Sequence, residues 1–331
     1  MFDIKKERLE EIKRNFNGKR IAVIGDLMLD GYFWGNVSRV SPEAPVPVVE
    51  IDDEFFRFGG AANVALNILK LGGIPFPIGI IGNDPNGNIF NKLLSDNNIS
   101  CNGIVIDSTR PTTTKTRVIA NNQHVVRIDK ENKLPIDTEA ESRILEIIRK
   151  NFDQFDAVIL EDYNKGVLTA GVISEIISLS KGKKKIITVD PKFLNFFSYT
   201  DVTVFKPNRK ETEDALRMRL RTNEDIEDAG RTLLEKMNSK YVLITLGEGG
   251  MALFEKGKPH TIIATKARKV ADVSGAGDTV ISTLTMALTA GADIYESAFL
   301  ANYAGGIVCG EVGIIPIEVN KLFQNILEDG L

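Results

Sequence analysis

The strongest constraint on the fold lies in the second half of the chain, where short β-branched runs and helical patterns take turns. A helical pattern from Ser142 to Phe152 precedes the run Ala157–Leu160, which ends at Glu161-Asp162. A helix from Ala170 then precedes Ile186–Val189, which ends at Asp190-Pro191-Lys192. The run Val202–Phe205 ends at Lys206-Pro207-Asn208, with Glu211 one helical turn on, and Tyr241–Thr245 leads into Gly247-Glu248-Gly249-Gly250. This alternation predicts an α/β fold with a parallel sheet, because a crossover helix is the ordinary way to return the chain beside the last strand. Each strand closes on polar residues or glycine, and the carboxyl edge of an open parallel sheet is where a ligand crevice lies. A lone acid there is more often a turn cap; the accumulation is what points to a ligand.

The most reactive element expected at that edge is Asp272-Val273-Ser274-Gly275-Ala276-Gly277-Asp278-Thr279, followed by the helical pattern Val280–Thr289. Gly275 and Gly277 permit a tight bend that brings backbone N–H groups within reach of an anion at the helix start. Asp278, in the first turn, is then placed to take a proton from a hydroxyl held against the same cradle. The competing reading is that Asp278 only caps or charge-matches its helix.

The first half of the chain is less regular. After a leading stretch with Ile4, Leu9, Ile12 and Phe16 at helical spacing, Ile21–Ile24 reads as a strand ending at Gly25-Asp26, with Asp30 four residues on. Either acid can accept paired hydrogen bonds from sugar hydroxyls, or cap a turn. Pro42, Pro45 and Pro47 interrupt any helix, and Val46, Val48, Val49 and Ile51 favour extended structure, so Tyr32–Ile51 is expected as a separate β layer. Its second piece is the hairpin Thr112–Asp129 around Asn121-Asn122, which carries Lys115, Arg117 and Arg127. Between them, Gly59-Gly60-Ala61-Ala62-Asn63-Val64-Ala65 lets the backbone approach a ligand just before a helix, and Asn63 either meets a substrate hydroxyl or caps. Ile78–Ile81, a helix around Ile89–Leu94 and Gly103–Ile106 form a further βαβ-like unit.

Several function classes are disfavoured. The formal charge of −4 supplies no field for nucleic acid, and the single basic run, Lys181–Lys185, reads as a solvated helix-to-strand connection. No stretch approaches the roughly 20 apolar residues of a membrane span, and the charged first twenty residues hold no signal core, so the chain is expected to stay in the cytoplasm. Cys101 and Cys309 are far apart and in no metal spacing, and His124 and His260 read as structural.

Gly59–Ala65 and Asp272–Thr279 together resemble the two signatures of the ribokinase-like (PfkB) carbohydrate kinases, in their order and separation, and the resemblance covers essentially the whole chain. Within that family, Gly25–Asp30, Ser38–Pro47, Asp162–Gly166 and Asp190–Lys192 resemble the D-glycero-β-D-manno-heptose 7-phosphate 1-kinases. The resemblance implies a three-layer α/β domain spanning residues 1–331, with a central, mainly parallel sheet and a small β lid inserted at about 31–57 and 111–129. It implies ATP and Mg²⁺ as cofactors and admits K⁺. Asp278 becomes the base, and Gly275, Ala276 and Gly277 the cradle of the transferring phosphoryl. Asn208 and Glu211 organise Mg²⁺, through water, and the nucleotide phosphates, while Thr245, Gly247, Gly250 and Asn302 bind nucleotide. Asp30, Gly59, Gly60, Asn63, Asp162 and Lys165 meet the sugar, Asp272 contributes to a K⁺ site, and the lid pairs two subunits. Arg39, Lys115 and Arg117 on the lid are expected to anchor the substrate's own phosphate, since Arg suits bidentate and Lys point-charge contact. In many bacteria such a kinase is fused to a nucleotidyltransferase with a His-x-Gly-His signature. That signature is absent here, so no nucleotidyltransferase domain is expected and a separate adenylyltransferase would complete the pathway. His124 departs from the pattern, standing where an aliphatic residue is usual. Kinases of other sugars, sugar phosphates or nucleosides, and a non-catalytic sugar- or nucleotide-binding regulator, are the alternatives.

Overall fold

The computed structural model describes residues 4–265, 273–311 and 313–329. Helix α1 (Lys6–Phe16) leads into β1 (Arg20–Gly25), the long ribbon β2 (Leu27–Val40) and β3 (Pro47–Gly60), α2 (Ala61–Lys70) and β4 (Ile74–Gly82). Helix α3 (Pro85–Asp96), β5 (Ile104–Asp107) and the hairpin β6 (Thr113–Ala120) and β7 (Gln123–Lys130) follow. The second half runs α4 (Thr138–Asn151), β8 (Ala157–Glu161), α5 (Ala170–Lys183), β9 (Ile186–Asp190), β10 (Val204–Phe205), α6 (Arg209–Leu216) and α7 (Asn223–Met237). It closes with β11 (Tyr241–Thr245), β12 (Met251–Glu255), β13 (Thr261–Ile263), α8 (Ala276–Thr289), α9 (Ile294–Cys309) and α10 (Val319–Glu328).

The central sheet has the order β13-β12-β11-β10-β9-β8-β1-β4-β5. Pairings from β5 through to β11 are parallel; β12 and β13 add antiparallel at one edge. Alternation along β1 explains the three layers. Ile21 and Val23 enter a core shared with α1, α2, α8, α9 and α10, whereas Ala22 and Ile24 enter one shared with α4, α5 and α7. β8 divides in the same way, Ala157 and Ile159 to the first core, Val158 and Leu160 to the second. Helix α8 is buried almost throughout, and most of its hydroxyls bond within the protein, Thr283 Oγ1 being buried without a partner. Ser282 donates to the Asp278 carbonyl at 2.6 Å, Thr285 donates to that of Ile281 at 2.8 Å, and the Thr188 and Thr285 hydroxyls meet at 2.7 Å.

The second sheet, β3-β2-β6-β7, is the lid. It begins deeper than the sequence pattern implies. The β2–β3 ladder starts at Leu27 opposite Gly60, inside the core, and reaches Val40 opposite Pro47. Its root is buried, and β7 at its outer edge is exposed along its whole length. Two other boundaries move for local reasons. Helix α4 starts at Thr138 because the Asp137 carboxylate accepts from Ala140 N at 2.8 Å, capping the helix one turn before Ser142. Lys181 to Lys183 belong to the last turn of α5, where cations suit the helix dipole, and Lys181 pairs with Asp201 at 2.8 Å. Among the described residues no helix is long and apolar enough to cross a membrane.

Close packing at the end of β1 gives a stability test. A Cβ on Gly25 would lie 1.9 Å from the Glu161 carbonyl oxygen, whereas one on Gly182 in α5 meets nothing within 4 Å. Gly25→Ala is expected to cost at least the ~1–3 kcal/mol of an overpacked core, and Gly182→Ala to gain about 0.5–1 kcal/mol. Urea midpoints that move in opposite directions for the two variants are the expected outcome.

Candidate active site

Asp278 opens helix α8, and Gly275 provides its N-cap in the left-handed region with φ 77°. The Asp278 carboxylate is held by two other parts of the chain rather than by its own helix. Asn63 Nδ2, from the first turn of α2, donates to Oδ2 at 2.7 Å, and the Tyr163 hydroxyl donates to Oδ1 at 2.9 Å. The capping reading of Asp278 therefore gives way. So does that of Asn63, since α2 is entered through Gly60 with no side-chain cap and Asn63 Oδ1 is buried without a hydrogen-bond partner. Burial pushes the Asp278 carboxyl up to about 6, against the pull of its two hydrogen bonds. A carboxylate with that value is a competent base near neutral pH.

The floor of the site separates acids that look alike in sequence. Asp26 accepts backbone N–H groups of Tyr163 at 2.7 Å, Lys165 at 3.0 Å and Val167 at 3.2 Å, so it anchors a loop and does not face sugar hydroxyls. Asp162, expected on the substrate, is likewise committed. It accepts from Asn164 N at 2.8 Å and from the Tyr199 hydroxyl at 2.6 Å, and it is fully buried. Lys165 pairs with Glu131 at 2.7 Å beside the lid.

Asp30 lies at the lid's root and forms an ion pair with Arg117. Gly59 makes room for it, since a Cβ there would fall 2.3 Å from Asp30 Oδ2, and Gly60 turns the chain with φ 55°. Around this pair the structure gathers the expected Lys115 and Arg117 together with Arg57. Arg117 and Arg57 lie 5.4 and 5.7 Å from the Tyr32 ring centre, and Lys115 Nζ lies 5.0 Å from that of Tyr163. Arg57 escaped the sequence reading. The usable signal was its place two residues before the glycine pair, in register opposite Asp30. Arg39 is not brought together with them. It is 65% exposed, 3.8 Å from Glu50, and nine positions up β2 from Asp30, roughly 30 Å away at about 3.3 Å per residue.

Beside the glycine turn, a cavity of about 460 Å³ is lined by Thr245, Gly247, Gly250 and Asn302, expected to bind nucleotide, by Ala276 and Gly277, expected as the phosphoryl cradle, and by Cys309, which carried no such expectation. Asn302 Nδ2 donates to the Ala264 carbonyl at 2.6 Å. Asn208 and Glu211 form a capping box on α6. Asn208 Oδ1 accepts from Glu211 N, and Glu211 Oε2 accepts from Asn208 N, both at 2.8 Å. Glu211 Oε1 instead meets the Lys192 ammonium. Lys206 pairs with Asp190 Oδ2 at 2.8 Å, and Gly277 lies directly over this pair, a Cβ there being 3.5 Å from the same oxygen. Glu161 completes the cluster. Both of its oxygens are buried with no hydrogen-bond partner, and burial followed by the charge of Asp190 pushes its carboxyl well above the usual range.

The donor set fits a hard cation. Glu211 offers one carboxylate oxygen beyond its cap, and Mg²⁺ keeps several waters and takes only one or two carboxylates alongside phosphate oxygens. No group of three or more His, Cys, Asp or Glu side chains suited to a metal occurs among the described residues. Asp272, the expected K⁺ residue, lies outside the described residues.

The raised Asp278 value carries a stability consequence. A carboxyl near 6 in the folded state against 3.8 in the unfolded one leaves the fold unaffected below pH 3.8 and weakens it increasingly up to pH 6. The full effect is on the order of 3 kcal/mol. Asp278→Asn can accept from Asn63 through its amide oxygen and donate its amide N–H to the Tyr163 hydroxyl, without the charge, so it is expected to melt higher than wild type at pH 7–8. That advantage should vanish as pH falls toward 4, and parallel melting curves at both pH values check the sign.

Comparison with known proteins places these features. The chain is 40% identical over 307 residues to the bifunctional protein HldE of Helicobacter hepaticus, an alignment covering 93% of this chain and 64% of that protein. The chain thus spans a little under two thirds of the relative's length. Arabidopsis thaliana ribokinase, solved with ribose and ATP, superposes with a TM-score of 0.72 at 20% identity over 93% of this chain and 99% of the other. Phosphofructokinase-2 of Escherichia coli, solved with potassium, gives a TM-score of 0.75 at 18% identity over 95% and 99%. These two establish the ribokinase-like fold. The family model for pfkB carbohydrate kinases matches residues 19–320, and the chain belongs to that family.

Proposed function

We propose that this phosphotransferase moves the γ-phosphoryl group of ATP to the anomeric C1 hydroxyl of D-glycero-β-D-manno-heptose 7-phosphate, giving the 1,7-bisphosphate in the cytoplasm. Asp278 takes the hydroxyl proton, the hydroxyl oxygen bonds to the γ-phosphorus, and the bond from phosphorus to the β-phosphate bridging oxygen breaks, releasing ADP. Backbone N–H groups of Gly275, Ala276 and Gly277 meet the charge on the transferring group, and ATP occupies the cavity beside Asn302. Glu211 would hold Mg²⁺, which would supply charge neutralisation to the nucleotide phosphates.

The observation that carries this reading is the pairing of a doubly held base with a cationic lid face. Asp278 is fixed by Asn63 and Tyr163, and Lys115 lies over the same Tyr163 ring that donates to it. Arg57 and Arg117 flank Tyr32 alongside, two forked donors suited to a phosphate remote from the reacting hydroxyl. The resemblance of Gly25–Asp30 and Ser38–Pro47 to heptose phosphate kinases and the identity with HldE support the sugar assignment. The product would pass to an adenylyltransferase for ADP-heptose synthesis. The apolar positions left exposed on the lid, Val40 at 65%, Ile51 at 45% and Ile128 at 54%, support pairing of two subunits there, with Arg39 nearer that seam than the sugar.

Two outcomes are expected. Asp278→Asn should bind both substrates and lose roughly 10²- to 10⁴-fold in kcat, and wild-type kcat should fall as pH drops through about 6, where Asp278 protonates. Near-normal turnover in the folded variant would remove Asp278 from the chemistry. Arg57→Ala and Arg117→Ala should mainly raise KM for the 7-phosphate and erase the preference for it over unphosphorylated heptose. A kcat/KM ratio for the two sugars that is unchanged in both variants would sink the phosphate-anchor assignment and, with it, the choice of substrate.

A further inference from the structure

Lys192 occupies a position that the reaction has to change. Its ammonium contacts Glu211 Oε1 and lies 3.8 Å from Asp190 Oδ1, so it bridges two carboxylates at the edge of the phosphoryl cradle. It also lies 5.2 Å from the centre of the Tyr163 ring, whose hydroxyl donates to Asp278. The side chain keeps 26% of its surface exposed, whereas Lys206, on the other oxygen of Asp190, keeps 2%. Lys206 is therefore a fixed counter-ion, and Lys192 is the one with room to move. Burial works against the charge on Lys192, and Asp190 and Glu211 more than offset it, so the group stays an ammonium.

Glu211 has a single oxygen to give. Oε2 is committed to Asn208 N in the capping box, and Oε1 is the atom Lys192 holds. We propose that Lys192 is a place-holding cation: it neutralises Glu211 and Asp190 in the free enzyme, yields Glu211 Oε1 to the metal shell that arrives with the nucleotide, and turns to the transferring phosphoryl group over Gly275–Gly277. Lys192 is then both a competitor of the metal and a catalytic residue. The exchange keeps the crevice near charge balance in both states, since neither carboxylate is left facing another without a cation between them. It also makes the ammonium available to the phosphoryl group only once metal and nucleotide are in place. This inference rests on the assignment of Glu211 to the metal.

The test measures metal binding separately from turnover. Mn²⁺ affinity, read by paramagnetic resonance with ADP present, is compared in wild type, Lys192→Met, Lys192→Arg and Glu211→Gln, each shown to be folded by its melting curve. Lys192→Met should bind Mn²⁺ about fivefold or more tightly than wild type, the size of an ordinary coupling between two sites. Its kcat should nevertheless fall by about 10²-fold, the loss typical of one missing transition-state donor. Lys192→Arg should move the other way, binding Mn²⁺ more weakly, because a guanidinium fork grips Glu211 and Asp190 harder than an ammonium. This variant keeps the question answerable if the Met variant does not fold. Unchanged or weaker Mn²⁺ affinity in folded Lys192→Met, or tighter affinity in Lys192→Arg, overturns the competition. Tighter binding with undiminished kcat overturns the catalytic half. Glu211→Gln with wild-type Mn²⁺ affinity would instead show that Glu211 is not the metal's partner, a failure of the functional reading that is distinct from a failure of the exchange.

Discussion

The candidate site hangs on the buried carboxylate of Asp26. Positioned at the carboxyl end of β1, it accepts three backbone N–H groups from the loop after β8, and charge-assisted bonds of this kind are about twice as strong as neutral ones. Burial first, and then the neighbouring Asp162, push its carboxyl up to about 6, while those three amides pull it down. The loop so fixed delivers Tyr163 to Asp278 and Lys165 to Glu131. The orientation of Asp278 is thus set by an acid whose own carboxylate is committed to backbone amides. An uncompensated charge at that depth would also be costly, which ties the loop to the strand edge in both directions.

Around Asp278, carboxylates crowd together. Glu161, Asp190, Glu211 and Asp278 converge on one edge of the sheet, and among the described residues Lys192 and Lys206 pair with Asp190 and Glu211 there. Such crowding favours unfolding, and it is tolerated because two apolar cores, one on each face of the sheet, hold the strand ends in place. The nucleotide phosphates would add further negative charge at this edge, so phosphoryl transfer there would call on the metal that accompanies them for neutralisation.

What the sequence disclosed follows from which forces are local. The parallel sheet was readable because alternation and strand-end chemistry repeat along the chain, and the glycine turn because Gly275 needs its φ of 77° whatever surrounds it. Asp26, Asp30 and Asp162 were indistinguishable as acids at or beyond a strand end; their environments depend on which partners face them across the fold, backbone amides for Asp26 and Asp162 and the Arg117 guanidinium for Asp30. Arg57 and Arg39 show the same limit from the other side. Both are lid cations, yet the register that sets Arg57 opposite Asp30 and leaves Arg39 far up the ribbon is a property of two paired strands, not of either alone. Tyr163, Lys192 and Glu161 lay inside or beside motifs that drew attention, but a motif does not say which neighbours converge on it.

The lid is no separate flap. β2 is one unbroken strand from Leu27 in the core, through Asp30 in its pair with Arg117, to Val40 at the exposed tip, and its ladder with β3 stays in step until the irregularity between Trp34 and Gly35. A strand so paired transmits displacement along its length, so a push at the tip is felt at Asp30 unless it is absorbed at that irregularity. The position of Asp30 and the posture of the outer sheet are mechanically one variable. A surface change near the tip, at Arg39 nine positions up β2, is therefore able to reach the Asp30–Arg117 pair without touching it.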